Sequence, residues 1–379
     1  MDKKIAILAG DGIGPEVMTS AIEVLKAIEK KYNHQFIYEE GLIGGSAYDQ
    51  YQNHCPEETI NICKNADAIL FGSVGGPVDA QHITKWKNCE ANSILALRKH
   101  FKFAINIRPI QIFSALKENS PLSENAIGDD VNIEIFRELS ADIYFGEHKR
   151  FVNNQGIRCA TDVAEYDENT IRTIVKAAFS RAQVRKKKLT SVDKANVLDT
   201  SRLWREIVIE EAVNYPDITV NHMYVDNCAM QMVLNPRQFD VMVTSNLFGD
   251  ILSDLGSVLP GSIGLVPSVS LNDDGFGLYE PSGGSAYDLM GQNIANPTAQ
   301  ILSASLMLAY SFGLFDEANN INFAIEHVFE QGYKTADVNR NSQKKAISTT
   351  EFTQKVVAEI LNDSDEMINS DNKSGAISV

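Results

Sequence analysis

The first hundred residues alternate short apolar runs with amphipathic segments, and this alternation constrains the fold more than any other feature of the sequence. Apolar residues 5–9 precede a segment, 17–31, in which apolar side chains recur at helical spacing. Two further short runs, 35–40 and 68–71, flank a predicted helix over residues 56–65. Strands that alternate with helices are typical of a sheet covered by helices. The sequence therefore predicts an α/β fold.

The remainder of the chain continues this pattern less regularly and shows no internal repeat. Helices are predicted over residues 91–99, 168–188, 229–234, 250–257, 297–312, 321–330 and 351–361. Strands are predicted over residues 103–107, 189–192, 219–224 and 241–244. Residues 118–167 are polar and predicted to be irregular, with short β-like pieces at 133–136 and 143–145. The polar end of the chain, about 363–379, is expected to be disordered.

The length and charge of the chain exclude several classes of protein. At roughly 150 residues per domain, 379 residues predict two or three domains. Lys and Arg number 34 against 50 Asp and Glu, a formal charge of −16, and a negative protein repels nucleic-acid backbones. The basic run 185–188 lies at a predicted helix C-terminus, where cations favour the helix dipole. Since no apolar run approaches the roughly 20 residues of a membrane span, we expect neither nucleic acid nor membrane as a partner.

The cysteines indicate the compartment. Five cysteines, an odd number, are scattered along the chain without a C-x-x-C pair, a pattern typical of reduced thiols in a cytosol. The first residues enter an apolar run directly and lack the features of a secretory signal. The sequence predicts a cytoplasmic protein.

A glycine-rich loop, GDGIG at residues 10–14, lies between the first predicted strand and helix. Such a loop can bring backbone N–H groups close to an anion. Its glycines alternate, so it is not the G-x-G-x-x-G fingerprint of a Rossmann fold, and it lacks the lysine of a P-loop. A simple tight turn explains the loop equally well.

Asp250 and Asp254 are the first candidate site residues. On a helix they are separated by one turn, so both carboxylates point from the same face. Like charges in this arrangement repel each other unless a cation lies between them, and ligation by oxygen alone suits Mg²⁺ or Mn²⁺. The alternative is a solvated acidic face near a helix N-terminus.

Further candidates are cationic and proton-transferring residues in structured surroundings. Arg98, Arg108 and Arg137 could clamp the carboxylates of a di-acid substrate, because a guanidinium donates two parallel hydrogen bonds. Tyr144 and Lys194 could move protons if their surroundings changed their pKa values. Ordinary surface ion pairs and a packed ring remain the alternatives for these five residues.

Taken together, the segments resemble the isocitrate/isopropylmalate family of β-decarboxylating dehydrogenases over nearly the whole chain. The most specific motifs are NLFGDILSD at 246–254 and GSIGL at 261–265. Others are GDGIGPEV at 10–17, LFGSVGGP at 70–77, LRK at 97–99, NIRP at 106–109, REL at 137–139, SVDKANV at 191–197, LWR at 203–205 and YEP at 279–281. The resemblance implies a three-layer α/β/α fold of two domains. Residues 1–104 and 258–379 would form a cofactor-binding domain, and residues 105–257 a domain for dimerisation, substrate and metal.

The resemblance also implies roles for the candidate residues. Arg98, Arg108 and Arg137 match the clamps on the malate carboxylates, and Tyr144 and Lys194 match the acid–base pair. Asp226, Asp250 and Asp254 match ligands of Mg²⁺ or Mn²⁺, with Asp226 also binding the substrate. In the family, the lysine and the first aspartate come from the neighbouring subunit. The implied assembly is a homodimer with shared active sites, clasped by an arm around residues 143–167.

Substrate choice is expected to depend on one helix face and its surroundings. Glu90, Ile94 and Arg98 are spaced by four residues, with Leu95 alongside and Val197 after the lysine. The apolar members offer a place for an isopropyl group, whereas an isocitrate site needs polar partners for a third carboxylate. The favoured reaction is oxidative decarboxylation of 3-isopropylmalate in leucine biosynthesis. A relative acting on D-malate, tartrate or homoisocitrate, or a catalytically silent paralogue, is the alternative.

The resemblance places the cofactor on the segment 283–297. The candidate contacts there are Gly284, Ser285, Ala286, Asp288 and Asn296. The carboxylate of Asp288 would accept hydrogen bonds from the adenosine ribose and repel a 2′-phosphate, which favours NAD over NADP. The chain departs from the family at Tyr287, usually Pro, at Gln292, commonly Lys, and at 141–142, where Ala-Asp replaces Gly-Gly.

Overall fold

The computed structural model describes residues 1–340 and 345–362, so the predicted disordered tail at 363–379 lies outside the described residues. Twelve β-strands lie within this part of the chain. They are β1 (Asp2–Gly10), β2 (Gln35–Glu40), β3 (Ala68–Ser73), β4 (Ile105–Gln111), β5 (Asn132–Glu138), β6 (His148–Val152), β7 (Arg158–Asp162), β8 (Lys188–Asp193), β9 (Thr219–Tyr224), β10 (Val241–Thr244), β11 (Pro267–Leu271) and β12 (Gly277–Pro281).

Thirteen α-helices accompany the strands in the described ranges. They are α1 (Gly14–Tyr32), α2 (Gly45–Tyr51), α3 (Glu57–Lys64), α4 (Cys89–Asn92), α5 (Ile94–His100), α6 (Glu124–Ile127), α7 (Glu168–Gln183), α8 (Asp199–Ala212), α9 (Val225–Leu234), α10 (Asn246–Val258), α11 (Thr298–Tyr310), α12 (Phe315–Glu330) and α13 (Thr349–Leu361). In this same part of the chain, no helix is both long and apolar enough to cross a membrane.

Ten of the strands form one sheet in the order β2-β1-β3-β12-β11-β4-β5-β10-β8-β9. The strands at each end are parallel, as β-α-β connections require. Antiparallel pairs occur only in the middle of the described sheet, where β11 pairs with β12 and β4, and β4 pairs with β5. The remaining strands, β6 and β7, form a separate exposed hairpin within the predicted arm.

Helices cover both faces of the sheet, which confirms the three-layer α/β/α architecture. One face packs against α1, α7, α8, α11, α12 and α13 in a single large apolar cluster. The other face carries two separate clusters. One surrounds Leu8, Phe71 and Leu97, and the other surrounds Ile135, Met242 and Leu252. The central strands β4 and β5 lie where these two clusters meet, so polar side chains pointing to this face are not covered by a continuous apolar layer.

Several sequence predictions of local structure were wrong at their boundaries or in kind. The helix predicted over 91–99 is broken at Ser93, whose φ of −116° and ψ of −87° separate α4 from α5. The helix predicted to reach residue 188 ends at Gln183. The β-like piece at 143–145 is instead part of a 3-10 turn, Asp142–Tyr144. The piece at 133–136 lies in β5, a full strand in the interior of the sheet. The division into domains 1–104 plus 258–379 and 105–257 remains a prediction.

Candidate active site

The candidate site is built on β4 and β5 at the centre of the sheet. Arg108 lies on β4 and Arg137 on β5, and the two strands are antiparallel neighbours. Their flanking residues Ile107 and Phe136 belong to the large cluster on the opposite face. Because side chains alternate along a strand, both arginines point to the face where the two smaller clusters meet.

Arg98 reaches the same place from α5. Its Nη2 donates to Oε1 of Glu280 at 2.9 Å, which ties α5 to the end of β12. Its Nε is buried and has no hydrogen-bond partner among the described residues. A buried donor without an acceptor is costly, and a ligand carboxylate would satisfy it.

Arg108 donates hydrogen bonds to neutral partners, and burial and nearby charges shift its pKa. Its Nε donates to Oδ1 of Asn106 at 3.0 Å, and its Nη1 donates to Oγ of Ser282 at 3.1 Å. Burial lowers the pKa of Arg108 to about 10. The positive charges of Arg98 and Arg137 act in the same direction, while the carboxylates of Glu280 and Asp254 oppose them. Three cations therefore lie close enough to repel one another, and this arrangement favours an anionic ligand.

Arg137 connects β5 to helix α10. Its Nε donates to Oδ1 of Asn246 at 3.0 Å, and its Nη1 donates to Oδ1 of Asp250. Its guanidinium carbon lies 5.5 Å from the centre of the Tyr144 ring. Burial lowers the pKa of Arg137, and the Asp250 carboxylate opposes this shift. One arginine thus fixes the orientation of both a predicted metal ligand and a predicted proton donor.

The predicted carboxylate pair is present on α10. Asp250 accepts from Arg137 and from the Tyr144 hydroxyl, and Asp254 acts electrostatically on Arg108. Among the described residues, no three His, Cys, Asp or Glu side chains come together as a metal site. Asp226 therefore does not join Asp250 and Asp254 within one chain.

Lys194 and Asp226 form a second pair. Lys194 follows β8, Asp226 lies in the first turn of α9, and Nζ of Lys194 is 2.8 Å from Oδ1 of Asp226. The hydrogen bond from Lys194 lowers the pKa of Asp226. Within the described part of the chain, no hydrogen bond or ion pair joins this pair to Tyr144 or Asp250. The chain thus presents two half-sites.

The predicted specificity residues are more dispersed than expected. The break at Ser93 places Glu90 on α4, so it does not share one helix face with Ile94 and Arg98, and that prediction was wrong. Ile94 is buried in the apolar cluster around Leu97. Leu95 and Val197 are exposed, with 42% and 60% of their surface accessible. Of these predicted specificity residues, only Leu95 and Val197 present exposed apolar surface.

The predicted cofactor segment lies against the glycine-rich loop. The carbonyl of Ser285 accepts the N–H of Ile13 at 2.8 Å, and a Cβ at Gly12 would lie 1.9 Å from that carbonyl oxygen. The close approach explains the glycine. Gly284 and Asp288 are exposed, and Ala286 has a positive φ of 37°. Asn296 donates to Oδ2 of Asp337 at 3.0 Å and caps the start of α11 through Thr298.

Sequence reasoning missed two residues that organise these elements. The carboxylate of Asp11 is buried and accepts the N–H groups of Gly45, Ser46 and Gly75 at 2.8, 2.9 and 3.1 Å. Burial raises the pKa of Asp11 against these hydrogen bonds. Glu280 was visible only within the YEP motif, and its ion pair with Arg98 spans 182 positions of sequence. Neither contact leaves a local signal beyond a charged residue at the end of an apolar run.

The three neighbouring arginines favour an anionic ligand, and the two aspartates one turn apart on α10 offer oxygen donors only. A sequence model of the isocitrate/isopropylmalate dehydrogenase family matches residues 4–356. The 3-isopropylmalate dehydrogenase of Bacillus subtilis is 46% identical over 364 residues, covering 96% of this chain and 98% of that protein. That of Thermotoga maritima is 49% identical over 355 residues, covering 92% and 96%.

The solved structures agree with the sequence relatives. The crystal structure of isocitrate dehydrogenase from Methylococcus capsulatus aligns with a TM-score of 0.81 and 31% identity, covering 95% of this chain and all of that one. The chain belongs to the isocitrate/isopropylmalate dehydrogenase family. The resemblance inferred from the sequence motifs is thereby confirmed.

Proposed function

We propose that the chain catalyses the NAD-dependent oxidative decarboxylation of (2R,3S)-3-isopropylmalate to 4-methyl-2-oxopentanoate and CO₂. It is an oxidoreductase of leucine biosynthesis, as its relatives of 46–49% identity over nearly the full length indicate. The single observation that carries the proposal is the convergence of three arginines beside an acidic helix. The positive charges of Arg98 and Arg137 both lower the pKa of Arg108, and that of Arg98 lowers the pKa of Arg137, which supports a common binding site for one anion.

The three arginines account for binding of a di-acid. Arg98 has an unpartnered buried Nε, and Arg108 carries a positive charge that burial disfavours. A carboxylate placed between them supplies the missing acceptor and lowers the electrostatic cost of both cations. Arg137 is already bonded to Asp250, so its remaining donors would orient the substrate relative to α10.

The carboxylates fit a hard divalent cation. Asp250 and Asp254 offer only oxygen donors, one helical turn apart, which suits Mg²⁺ or Mn²⁺. Asp226 of a second subunit would supply the third carboxylate. When bound, the cation would acidify the substrate hydroxyl and stabilise enolate charge, while NAD would accept the hydride.

Tyr144 is suited to protonate the enolate formed after loss of CO₂. Burial raises the pKa of its hydroxyl, and the neighbouring Asp250 carboxylate raises it further. The phenol therefore keeps its proton at neutral pH until a more basic carbon atom accepts it. The bond to Asp250 and the contact with Arg137 hold the ring at the cleft.

Lys194 and Asp226 are proposed to act in the active site of the neighbouring subunit. As a neutral amine, Lys194 would take the proton of the substrate hydroxyl, and the carboxylate of Asp226, with its Oδ1 2.8 Å from Nζ, keeps the side chain oriented. The surface around them supports a homodimer. Met230 and Leu234 on α9 and Ile251 and Val258 on α10 are all more than half exposed, an apolar patch suited to pairing with a second copy.

The residues predicted from the sequence are also the ones we propose to bind NAD and the isopropyl group. Gly284, Ser285, Ala286, Asp288 and Asn296 would hold NAD, with the exposed carboxylate of Asp288 favouring a free 2′-hydroxyl. Leu95 and the partner's copy of Val197 would contact the isopropyl group, with Ile94 behind them and Glu90 nearby. All five cysteines are free, as suits the cytoplasm.

Steady-state kinetics with purified protein tests the proposal directly. NAD reduction is followed with 3-isopropylmalate, D-malate, tartrate and homoisocitrate, each with Mg²⁺ or Mn²⁺ and with NADP as the alternative cofactor. The highest kcat/KM is expected for 3-isopropylmalate with NAD. A higher value for another acid would reassign the substrate, and no turnover with any of them would indicate a silent paralogue.

A further inference from the structure

Asp142 combines an unusual backbone conformation with a buried charge. Its φ is +74°, in the left-handed region that favours glycine, although Asp and Asn tolerate it better than other residues. The side chain is almost fully buried, with 6% of its surface exposed. A strained position that also buries a carboxylate calls for a compensating role, and the contacts of the carboxylate identify one.

The carboxylate of Asp142 caps helix α10 from outside the helix. Its Oδ2 accepts the backbone N–H of Leu247, in the first turn, at 3.0 Å. Ser245, the residue in the N-cap position, makes no capping hydrogen bond with its side chain to the described residues. The free N–H groups and the dipole at a helix N-terminus both favour an anion, so Asp142 takes over the function of the missing cap.

Tyr166 and Asn246 make further contacts between Asp142 and the N-terminus of α10. The Tyr166 hydroxyl lies 3.4 Å from Oδ2 of Asp142 and accepts the backbone N–H of Asn246 at 2.9 Å. The side chain of Asn246 donates to the carbonyl of Ala141 at 3.0 Å. The start of α10 is therefore fastened to residues 141 and 142 at several points.

The backbone of Asp142 also positions Tyr144. Asp142 begins the 3-10 turn Asp142–Tyr144, and its carbonyl accepts the N–H groups of Phe145 and Gly146, both at 3.1 Å. Tyr144 then contacts Asp250, one turn further along α10. Asp142 thus fixes the turn that presents the phenol and the helix that presents the carboxylates.

We infer that Asp142 is a positioning residue that sets the Tyr144 hydroxyl relative to the carboxylates of α10. The expected effect on kcat rests on the proposed function. The claim that Asp142 caps and positions α10 does not depend on that function.

Two substitutions separate the carboxylate from the backbone conformation. Asp142→Gly keeps the positive φ but removes the acceptor, whereas Asp142→Asn keeps an acceptor oxygen and tolerates the conformation. Ser245→Ala is the matched control, because it changes the formal N-cap residue of the same helix without removing a cap. Each variant is compared with the wild type for folding by circular dichroism and for dimer formation by light scattering.

The expected result is a selective loss in Asp142→Gly. Its kcat with 3-isopropylmalate falls about fivefold to tenfold, because the Tyr144 hydroxyl and the carboxylates of α10 are held in less precise positions, while the KM for NAD stays unchanged. Binding of Mn²⁺ alone, measured by electron paramagnetic resonance, weakens, and hydrogen exchange of the peptide spanning residues 245–250 accelerates. Asp142→Asn restores all three readouts, and Ser245→Ala matches the wild type.

The outcomes distinguish this inference from the proposed function. If the wild-type protein does not turn over 3-isopropylmalate, the proposed function is overturned. The Mn²⁺ affinity and the amide exchange of the variants would still decide the role of Asp142. Wild-type kcat and Mn²⁺ affinity in Asp142→Gly would overturn the inference, as would failure of Asp142→Asn to restore them. Faster exchange in α10 without any loss of kcat or of Mn²⁺ affinity would also overturn it, because the contact would then be structural only.

Discussion

The Tyr144 hydroxyl donates a hydrogen bond to one oxygen of Asp250 while Arg137 donates to the other oxygen of the same carboxylate. The proposed proton donor and a proposed metal ligand are thus held by one shared contact. Burial raises the pKa of Tyr144, and Asp250 raises it further, so the phenol stays protonated at neutral pH. Changes on either side of this contact should have different kinetic signatures.

We predict that Tyr144→Phe lowers kcat about a hundredfold, the lower range for loss of a general acid, while changing the KM for the substrate little. The substitution keeps the three arginines proposed to bind the substrate, and it removes only the proton proposed for the enolate. Steady-state kinetics measures the split between kcat and KM. Tyr51→Phe is the matched control, because the Tyr51 hydroxyl also donates to a carboxylate, that of Glu58 at 2.5 Å, outside the cleft. A kcat near wild type for Tyr144→Phe would rule out its assigned role.

The substitution Asp250→Asn acts on the other partner of the contact. It should abolish metal-dependent turnover while leaving a folded dimer, since a neutral amide is a poor ligand for a hard divalent cation. Titration with Mn²⁺, followed by calorimetry, should show the loss of affinity directly. Asp199→Asn is the control, an exposed aspartate paired with Arg202 on α8. Unchanged activity in Asp250→Asn would contradict the proposed metal site.

The separation of the site into two half-sites predicts complementation between inactive variants. Asp250→Asn and Lys194→Met each disable every site in a homodimer, but their hybrid contains one site with both native residues if Lys194 acts across the interface. Random exchange of subunits makes half of the dimers hybrid, so about one quarter of wild-type activity should return. Mixing after reversible dissociation, with each variant alone as control, measures the recovery. No recovery in a mixture shown to contain hybrids would mean that both residues serve the same chain's site.

The strands could be predicted from the sequence wherever their side chains are apolar. The strand β10 (Val241–Thr244) has the predicted bounds, because all four residues are buried and apolar or β-branched. In contrast, β11 and β12 were not predicted. Their short segments, PSVSL and GLYEP, carry serines and prolines that are typical of loops. Their burial depends on pairing with β4 and β3, strands far away in the sequence.

The site residues were predicted by type, but their contacts were not. The helical spacing of Asp250 and Asp254 is a local property, so α10 could be inferred from the sequence. The break at Ser93 and the positive φ of Asp142 have no such local signal, because both depend on what the neighbouring elements require. The strand β5 was predicted only as a short β-like piece at 133–136 within an irregular stretch, because the arginines that neutralise its charges, such as that of Glu134, come about fifty positions later.

The contacts of Tyr287 predict that packing of its ring holds the proposed cofactor segment in place. Its ring meets that of Trp86 edge to face, with centroids 5.5 Å apart. Burial raises the pKa of its hydroxyl to about 12, and the N–H of Gly12 in the glycine-rich loop opposes this shift. We expect Tyr287→Ala to raise the KM for NAD about fivefold, a typical loss for one aromatic contact, with kcat nearly unchanged. Tyr287→Phe should keep the wild-type KM. Equal values for Ala and Phe would show that the ring does not hold the segment.

The buried ion cluster of Glu134 on β5 predicts that the free energy of unfolding depends on pH. This cluster is separate from the proposed active site. Glu134 accepts two hydrogen bonds from Arg181, at 2.7 and 2.6 Å, and one from Arg185 at 3.0 Å. Burial alone would raise the pKa of Glu134, but the two guanidinium groups lower it below its ordinary value. A carboxylate whose pKa is lowered by folding stabilises the fold above its unfolded pKa, and this contribution is lost as the pH falls through the folded value.

At pH 7, Glu134→Gln should lower the free energy of unfolding by about 3–5 kcal/mol, because the buried guanidinium groups of Arg181 and Arg185 lose one of their counter-charges and keep only that of Asp240. Since glutamine does not titrate, the difference from wild type should shrink as the pH falls below the ordinary value of 4.5. Urea denaturation at pH 7 and pH 4, followed by circular dichroism, measures both effects. Glu168→Gln is the control: its carboxylate is 3.6 Å from Arg172 and mostly exposed, so its effect should stay below about 1 kcal/mol. A difference that stays constant with pH would show that the charge of Glu134 does not stabilise the fold and that the loss arises from altered packing.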